Sequence, residues 1–121
     1  NMTKRARQQG ELESLILSVL WSAKKPMTSQ AILEKASKNS DLALTTILTV
    51  LSRLEDKELV VREPGEGRAF LFSAAQTREQ HTADMMLQLV SNESNPALAF
   101  SHFADGLTAA QLKALRKSLE S

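Results

Sequence analysis

The stretch Asp41 to Lys57, DLALTTILTVLSRLEDK, decides how this chain folds. At about 100° per residue, Ala43, Leu44, Ile47, Val50, Leu51 and Leu54 fall on one side, the spacing of a helix face turned to a core. Thr45, Thr46, Thr49, Ser52 and Arg53 fall on the other. A solvated helix face is ordinarily built from Lys and Glu, which are long and good helix formers, whereas Thr and Ser are poorer ones. Short hydroxyls let a backbone approach a surface closely. They bond phosphates or base edges, and a Thr methyl can touch a thymine methyl. Two readings stand: a helix that enters a DNA groove, or a half-buried helix with Thr at semi-exposed positions. The flanking chain decides between them.

Downstream, Leu59-Val60-Val61-Arg62-Glu63 has the β-branched content of a strand. Pro64-Gly65-Glu66-Gly67 is a turn. Arg68-Ala69-Phe70-Leu71-Phe72-Ser73 alternates as a returning strand, with Phe70 and Phe72 on one face. Arg62 and Arg68 flank the hairpin tip, either as ordinary solvent-facing strand residues or as contacts to phosphate or the minor groove. Upstream, Leu12, Leu15, Ile16, Val19 and Leu20 predict a first helix from about Gly10 to Ala23. It is closed by Lys24-Lys25-Pro26, two cations at a helix C-terminus followed by a residue that cannot continue it. Trp21 is expected in or near the core. Pro26-Met27-Thr28 has room only for a turn or a tiny strand. Thr28 or Ser29 then caps a second helix to about Ser37, with Ile32, Leu33 and Ala36 inward. Asn39, Ser40 or Asp41 caps the third. Helix, tiny strand, helix, helix, hairpin is the order of a winged helix, and in that order the groove-entering reading of Asp41–Lys57 is favoured.

The last 45 residues have another character. Thr77 with Gln80 three residues on is a capping-box pattern, opening a helix to about Val90 with Thr82, Met85, Met86, Leu89 and Val90 on one side. Ser91 to Pro96 is a break. A helix from about Pro96 to Ala104 carries Leu98, Phe100 and Phe103 and is ended by Gly106. Thr108, with Gln111 three on, caps a last helix bearing Leu112, Leu115 and Leu119. Three short helices offer too little surface to bury these stripes among themselves. A homodimer formed through this segment is therefore expected; the alternative is that the helices fold back on residues 1–76. Met85 and Met86 suit an adaptable interface or an ordinary core.

Composition narrows the function. In 121 residues the net charge is +1, so DNA binding would have to come from local rather than bulk charge. Residues 1–76 carry a net +2 and residues 77–121 a net −1. The absence of cysteine excludes disulfides, thiolate metal sites and a cysteine nucleophile. His81 and His102 have no ligand partner at i+3 or i+4, and no acid–base couple stands out, so neither catalysis, a cofactor nor a metal is expected. No apolar run is long enough to span a membrane and no secretory signal is visible, so a cytoplasmic protein is expected. Asn1 ahead of Met2 reads as an added residue, and Lys4, Arg5 and Arg7 read as a short basic tail.

The run from Leu42 to Leu54, followed by Lys57 and Leu59-Val60, resembles the penicillinase-repressor family, the BlaI/MecI/CopY transcriptional regulators. Leu20-Trp21, Arg68-Ala69-Phe70 and Thr77-Arg78-Glu79 fit the same pattern, and the match runs from Leu12 to Leu119. The resemblance implies a mainly helical protein: a winged-helix domain over residues 1–76 and a helical dimerisation domain over 77–121. It implies a homodimeric repressor on a pseudo-palindromic operator with TACA/TGTA-type half-sites, read by the recognition helix 43–57 and the wing 62–68. The regulated genes would be those of β-lactam or cell-envelope stress. Thr45, Thr46, Thr49 and Arg53 would lie on the recognition helix and Arg68 on the wing; Ser52 and Arg62 complete the expected DNA surface. Release by a membrane sensor-protease would act through cleavage near His102-Phe103. Asn stands at the position of His102 in the staphylococcal members, and the C-terminal cysteine motif of the copper-responsive branch is absent, so copper sensing of that kind is not expected. The family commonly has Gly where this chain has Glu58, and often an aromatic where it has Leu44. A winged-helix protein-interaction module without DNA binding is the alternative.

Overall fold

A computed structural model describes residues 2–38 and 41–121; the side chains of residues 2–7 lie outside that description. The chain runs α1 (Met2–Ser22), α2 (Ser29–Ala36), α3 (Leu44–Asp56), β1 (Val60–Pro64), β2 (Phe70–Ala74), α4 (Arg78–Ser91), α5 (Pro96–Gly106) and α6 (Ala109–Leu119). It divides into two compact units, Asn1–His81 and Thr82–Ser121. Among the described residues no helix is long and apolar enough to cross a membrane.

The first unit is a winged helix. Ile16, Leu17 and Leu20 of α1, Ile32 and Ala36 of α2, and Ile47, Val50, Leu51 and Leu54 of α3 form one core with Met27, Val60 and Phe72. The helical period thus sets three apolar stripes against one another and against one face of the hairpin. Two positions depart from the expected α1 stripe: Leu17 is buried and Leu15 is exposed, because the face turned to the core lies between the Ile16–Leu20 row and Leu17. Helical backbone also begins at Met2, well before Gly10; the side chains of Lys4, Arg5 and Arg7 are outside the described residues.

β1 and β2 pair antiparallel, Val60 opposite Ala74 through to Pro64 opposite Phe70. The Pro26-Met27-Thr28 segment supplies a third, one-residue strand. Met27 N–H donates to Phe72 O at 2.9 Å, and Phe72 N–H donates to Met27 O at 2.7 Å. These two bonds clamp the returning wing strand to the loop ahead of α2, burying Phe72 beneath it. At the wing tip Gly65 N–H donates to Ala69 O and Ala69 N–H to Glu66 O. Gly67 turns the chain at φ +60°, a conformation glycine adopts without steric cost.

Caps set the helix ends. Thr28 accepts from Ala31 N–H at 3.1 Å and starts α2. The N-cap of α3 is Ala43, later than foreseen, and it has no side chain able to cap; Asp41 is not the cap, and Asn39 and Ser40 lie outside the described residues. At its other end α3 closes with Glu58 N–H on Glu55 O and Leu59 N–H on Leu54 O, both 2.9 Å. This double closure requires a left-handed residue, and Glu58 takes it at φ 62°. A side chain there costs about 1–2 kcal/mol. Glu58→Gly is therefore expected to raise stability by about 1 kcal/mol in urea denaturation, the strain relieved being partly offset by glycine's greater unfolded-state entropy. No gain would mean that the glutamate earns a compensating contact.

Three capped helices complete the chain, α4 beginning in the first unit and continuing into the second. Thr77 and Gln80 exchange side-chain and backbone bonds at 2.9 and 3.1 Å to open α4, and Thr108 and Gln111 do the same for α6. Asn95 accepts from Leu98 N–H to open α5, with Pro96 in its first turn. Yet α4, α5 and α6 contain no buried residue at all.

Candidate nucleic-acid interface

The site is one side of α3 together with the wing that follows it. The inner side of α3 is spent on the core: Ile47, Val50, Leu51 and Leu54 are at most 1% exposed. That burial fixes the roll of the helix and hence which residues face out. Thr45, Thr49 and Ser52 are exposed, while Thr46 and Arg53 are half-buried at the margins of the face. Thr49 Oγ1 donates to Thr45 O at 2.9 Å, so its hydroxyl proton is committed within the helix.

Two residues placed inward from periodicity are not inward. Ala43 is exposed as the N-cap, and Leu44, the first helical residue, is 37% exposed. Both lie at the helix start, ahead of the turn where α3 meets its neighbours. Leu48 was missed altogether: it is 43% exposed, one turn beyond Leu44 and one turn before Ser52. Its place on the Leu44–Leu48–Ser52 ridge follows from i, i+4 spacing and could have been read from the sequence.

The two wing arginines differ. Arg68 is exposed in the turn, with no ion pair recorded among the described residues. Arg62 is exposed on β1, but its Nε lies 3.4 Å from Glu55 Oε2 of α3, and its guanidinium sits 4.3 Å above the Phe70 ring. This cation–π stack explains a 43% exposed Phe70 beside a buried Phe72 on the same strand face. Arg62 thus links the end of α3 to both wing strands. Lys57 Nζ, 2.6 Å from Glu13 Oε1, links the same end of α3 to α1.

A second cluster lies at the start of α4. Trp21 is half-buried against the core, and its Nε1–H donates to Gln76 O at 2.9 Å. The Arg78 guanidinium stands 5.0 Å from its ring centroid and the His81 ring 5.5 Å away, tilted by 48°. His81 is therefore a packing neighbour of Trp21. No group of three or more metal-ligating side chains occurs among the described residues.

In the second unit Met85, Met86, Leu89, Leu98, Phe100, Phe103, Leu115 and Leu119 are exposed, and Leu112 is half-buried. His102 and Phe103, both exposed, lie inside α5.

The family model described as penicillinase repressor matches residues 9–121. The transcriptional regulator BlaI of Mycobacterium tuberculosis, from strains CDC 1551 / Oshkosh and H37Rv alike, is 32% identical over 113 residues, 91% of this chain and 81% of that protein. Among solved structures, a PadR-like transcription factor from Bacteroides fragilis superposes with a TM-score of 0.61 at 18% identity, covering 86% of this chain and 100% of the other.

Proposed function

The chain belongs to the penicillinase repressor family and is a transcriptional regulator of the winged-helix type, not an enzyme; from that premise we propose that it is a homodimeric repressor of a pseudo-palindromic operator. Each copy lays α3 in a major groove, with Thr45, Thr46, Thr49, Ser52 and Arg53 toward base edges and nearby phosphates. Arg68, and Arg62 behind it, take backbone phosphates beside the groove. The observation that carries this reading is the exposed hydroxyl face of α3, held outward by an inner face with no freedom to roll.

Dimerisation is assigned to residues 77–121. Well-capped helices that bury nothing, yet expose Met85, Met86, Leu89, Leu98, Phe100, Phe103, Leu115 and Leu119, are what one half of a shared core looks like. Two-fold symmetry in the protein then matches two-fold symmetry in the operator. Release follows from cleavage near His102-Phe103 by a membrane sensor-protease. Both residues are on a helix, so cleavage there needs local unwinding of α5 first. The regulated genes are placed in β-lactam or cell-envelope stress.

Selection of bound duplexes from a random pool tests the reading: it should enrich a symmetric motif with half-sites about a helical turn or more apart. Within that motif Arg68→Ala weakens binding to all sequences alike and lowers the salt slope by about one unit per site. Thr46→Ala changes which sequence is preferred. Gel shifts at several salt concentrations read both. An unenriched pool and a flat salt slope would favour a protein-interaction module.

A further inference from the structure

We infer that Leu48 is a specificity-determining residue that reads the 5-methyl group of a thymine in each half-site, with Leu44 extending the same apolar ridge. The inference rests on the DNA-reading role of α3. Leu48 lies mid-helix on the outer face, between exposed Thr45, Thr49 and Ser52, and is 43% exposed although the core is one residue away at Ile47. The roll of α3 is fixed by four buried residues, so Leu48 cannot turn inward without pulling Ile47 or Leu51 out.

The chemistry selects the occupant. In the major groove thymine alone presents a methyl, while the other base edges present hydrogen-bond donors and acceptors. A leucine against those edges would strip them of water and return no bond. One donor beside Leu48 is already committed: the Thr49 hydroxyl proton is given to Thr45 O, leaving that side chain a methyl and lone pairs. A protein partner is the weaker fit. Two leucines, each less than half exposed and ringed by hydroxyls, fall far short of the roughly 800 Å² per side that a stable protein interface buries.

The test uses the full chain and the duplex selected from a random pool. Each thymine of one half-site is replaced in turn by deoxyuridine, which removes the methyl and nothing else. For the unaltered protein one such replacement should lower affinity about fourfold, the worth of one buried methyl-sized group. Leu48→Ala should lower affinity for the parent duplex by a similar factor or more. At the sensitive position Leu48→Ala should be indifferent to deoxyuridine, while Leu48→Met, which keeps an apolar side chain of similar volume, retains the sensitivity. Folding is controlled by the thermal midpoint, which an exposed Leu→Ala change in a helix should leave nearly unmoved. The inference is overturned if deoxyuridine has no effect at any position, or the same effect on the protein with and without Leu48. If the pool yields no motif, what fails is the DNA-reading premise, and that outcome is distinct.

Discussion

A chain carrying Phe100→Ser and Phe103→Ser is expected to sediment as a monomer at micromolar concentration and to bind its full operator about a hundredfold more weakly, with its affinity for an isolated half-site unchanged. The size follows from symmetry. In the proposed two-fold interface each substitution would occur twice, so four phenyl rings would leave it. At about 1.5–3 kcal/mol for each aromatic side chain withdrawn from water, the loss reaches about 6–12 kcal/mol as an upper bound. That is comparable to the whole binding energy of a nanomolar dimer, about 12 kcal/mol. Loss of operator affinity then reflects loss of the second half-site's effective concentration, not of any DNA contact. Phe100 and Phe103 lie outside the winged-helix core, so that unit should still unfold cooperatively. A double variant that remains dimeric in analytical ultracentrifugation would move the interface off α5.

Leu54→Ala is expected to cost about 3–5 kcal/mol, read as a lowered urea midpoint at fixed protein concentration. Leu54 is 0% exposed, sits where α3 meets β1, and offers its carbonyl to Leu59 N–H in the closure of the helix. Truncation leaves a cavity against Leu59 and the surrounding core, at the point that sets the angle between helix and wing. Against the roughly 5–15 kcal/mol that holds a typical domain together, this is a large fraction. Operator binding at 37 °C should fall with it although Leu54 touches no DNA. A cost below about 1 kcal/mol would mean that the site collapses freely around the smaller side chain.

Much of the fold was legible because it rests on periods and caps. The 3.6-residue repeat placed Ile47, Val50, Leu51 and Leu54 in the core, and the Thr77/Gln80 and Thr108/Gln111 pairs located two helix starts. Periodicity failed at ends. It assigned Ala43 and Leu44 inward because it presumes that neighbouring elements cover the whole helix, and the first turn of α3 is uncovered. It also passed over Leu48, although the i, i+4 steps from Leu44 to Ser52 place it on the outer ridge. The third strand rests on backbone bonds at one residue, Met27, which no side-chain pattern announces. The partnership of Arg62 with Glu55 and Phe70 joins positions whose nearness depends on the hairpin's register. In α4–α6 the apolar stripes were legible, and these helices leave them without a buried residue.

Trp21 is the chain's one tryptophan, and it is pinned by the Gln76 carbonyl with Arg78 and His81 beside its ring. All of the chain's indole fluorescence therefore originates at a single spot, beside the first turn of α4. Any event that strains or frees that turn, whether operator loading, proteolytic clipping or partner exchange, should be written into the colour and intensity of the emission. The molecule carries its own unlabelled optical gauge, and it lies outside the surface assigned to DNA.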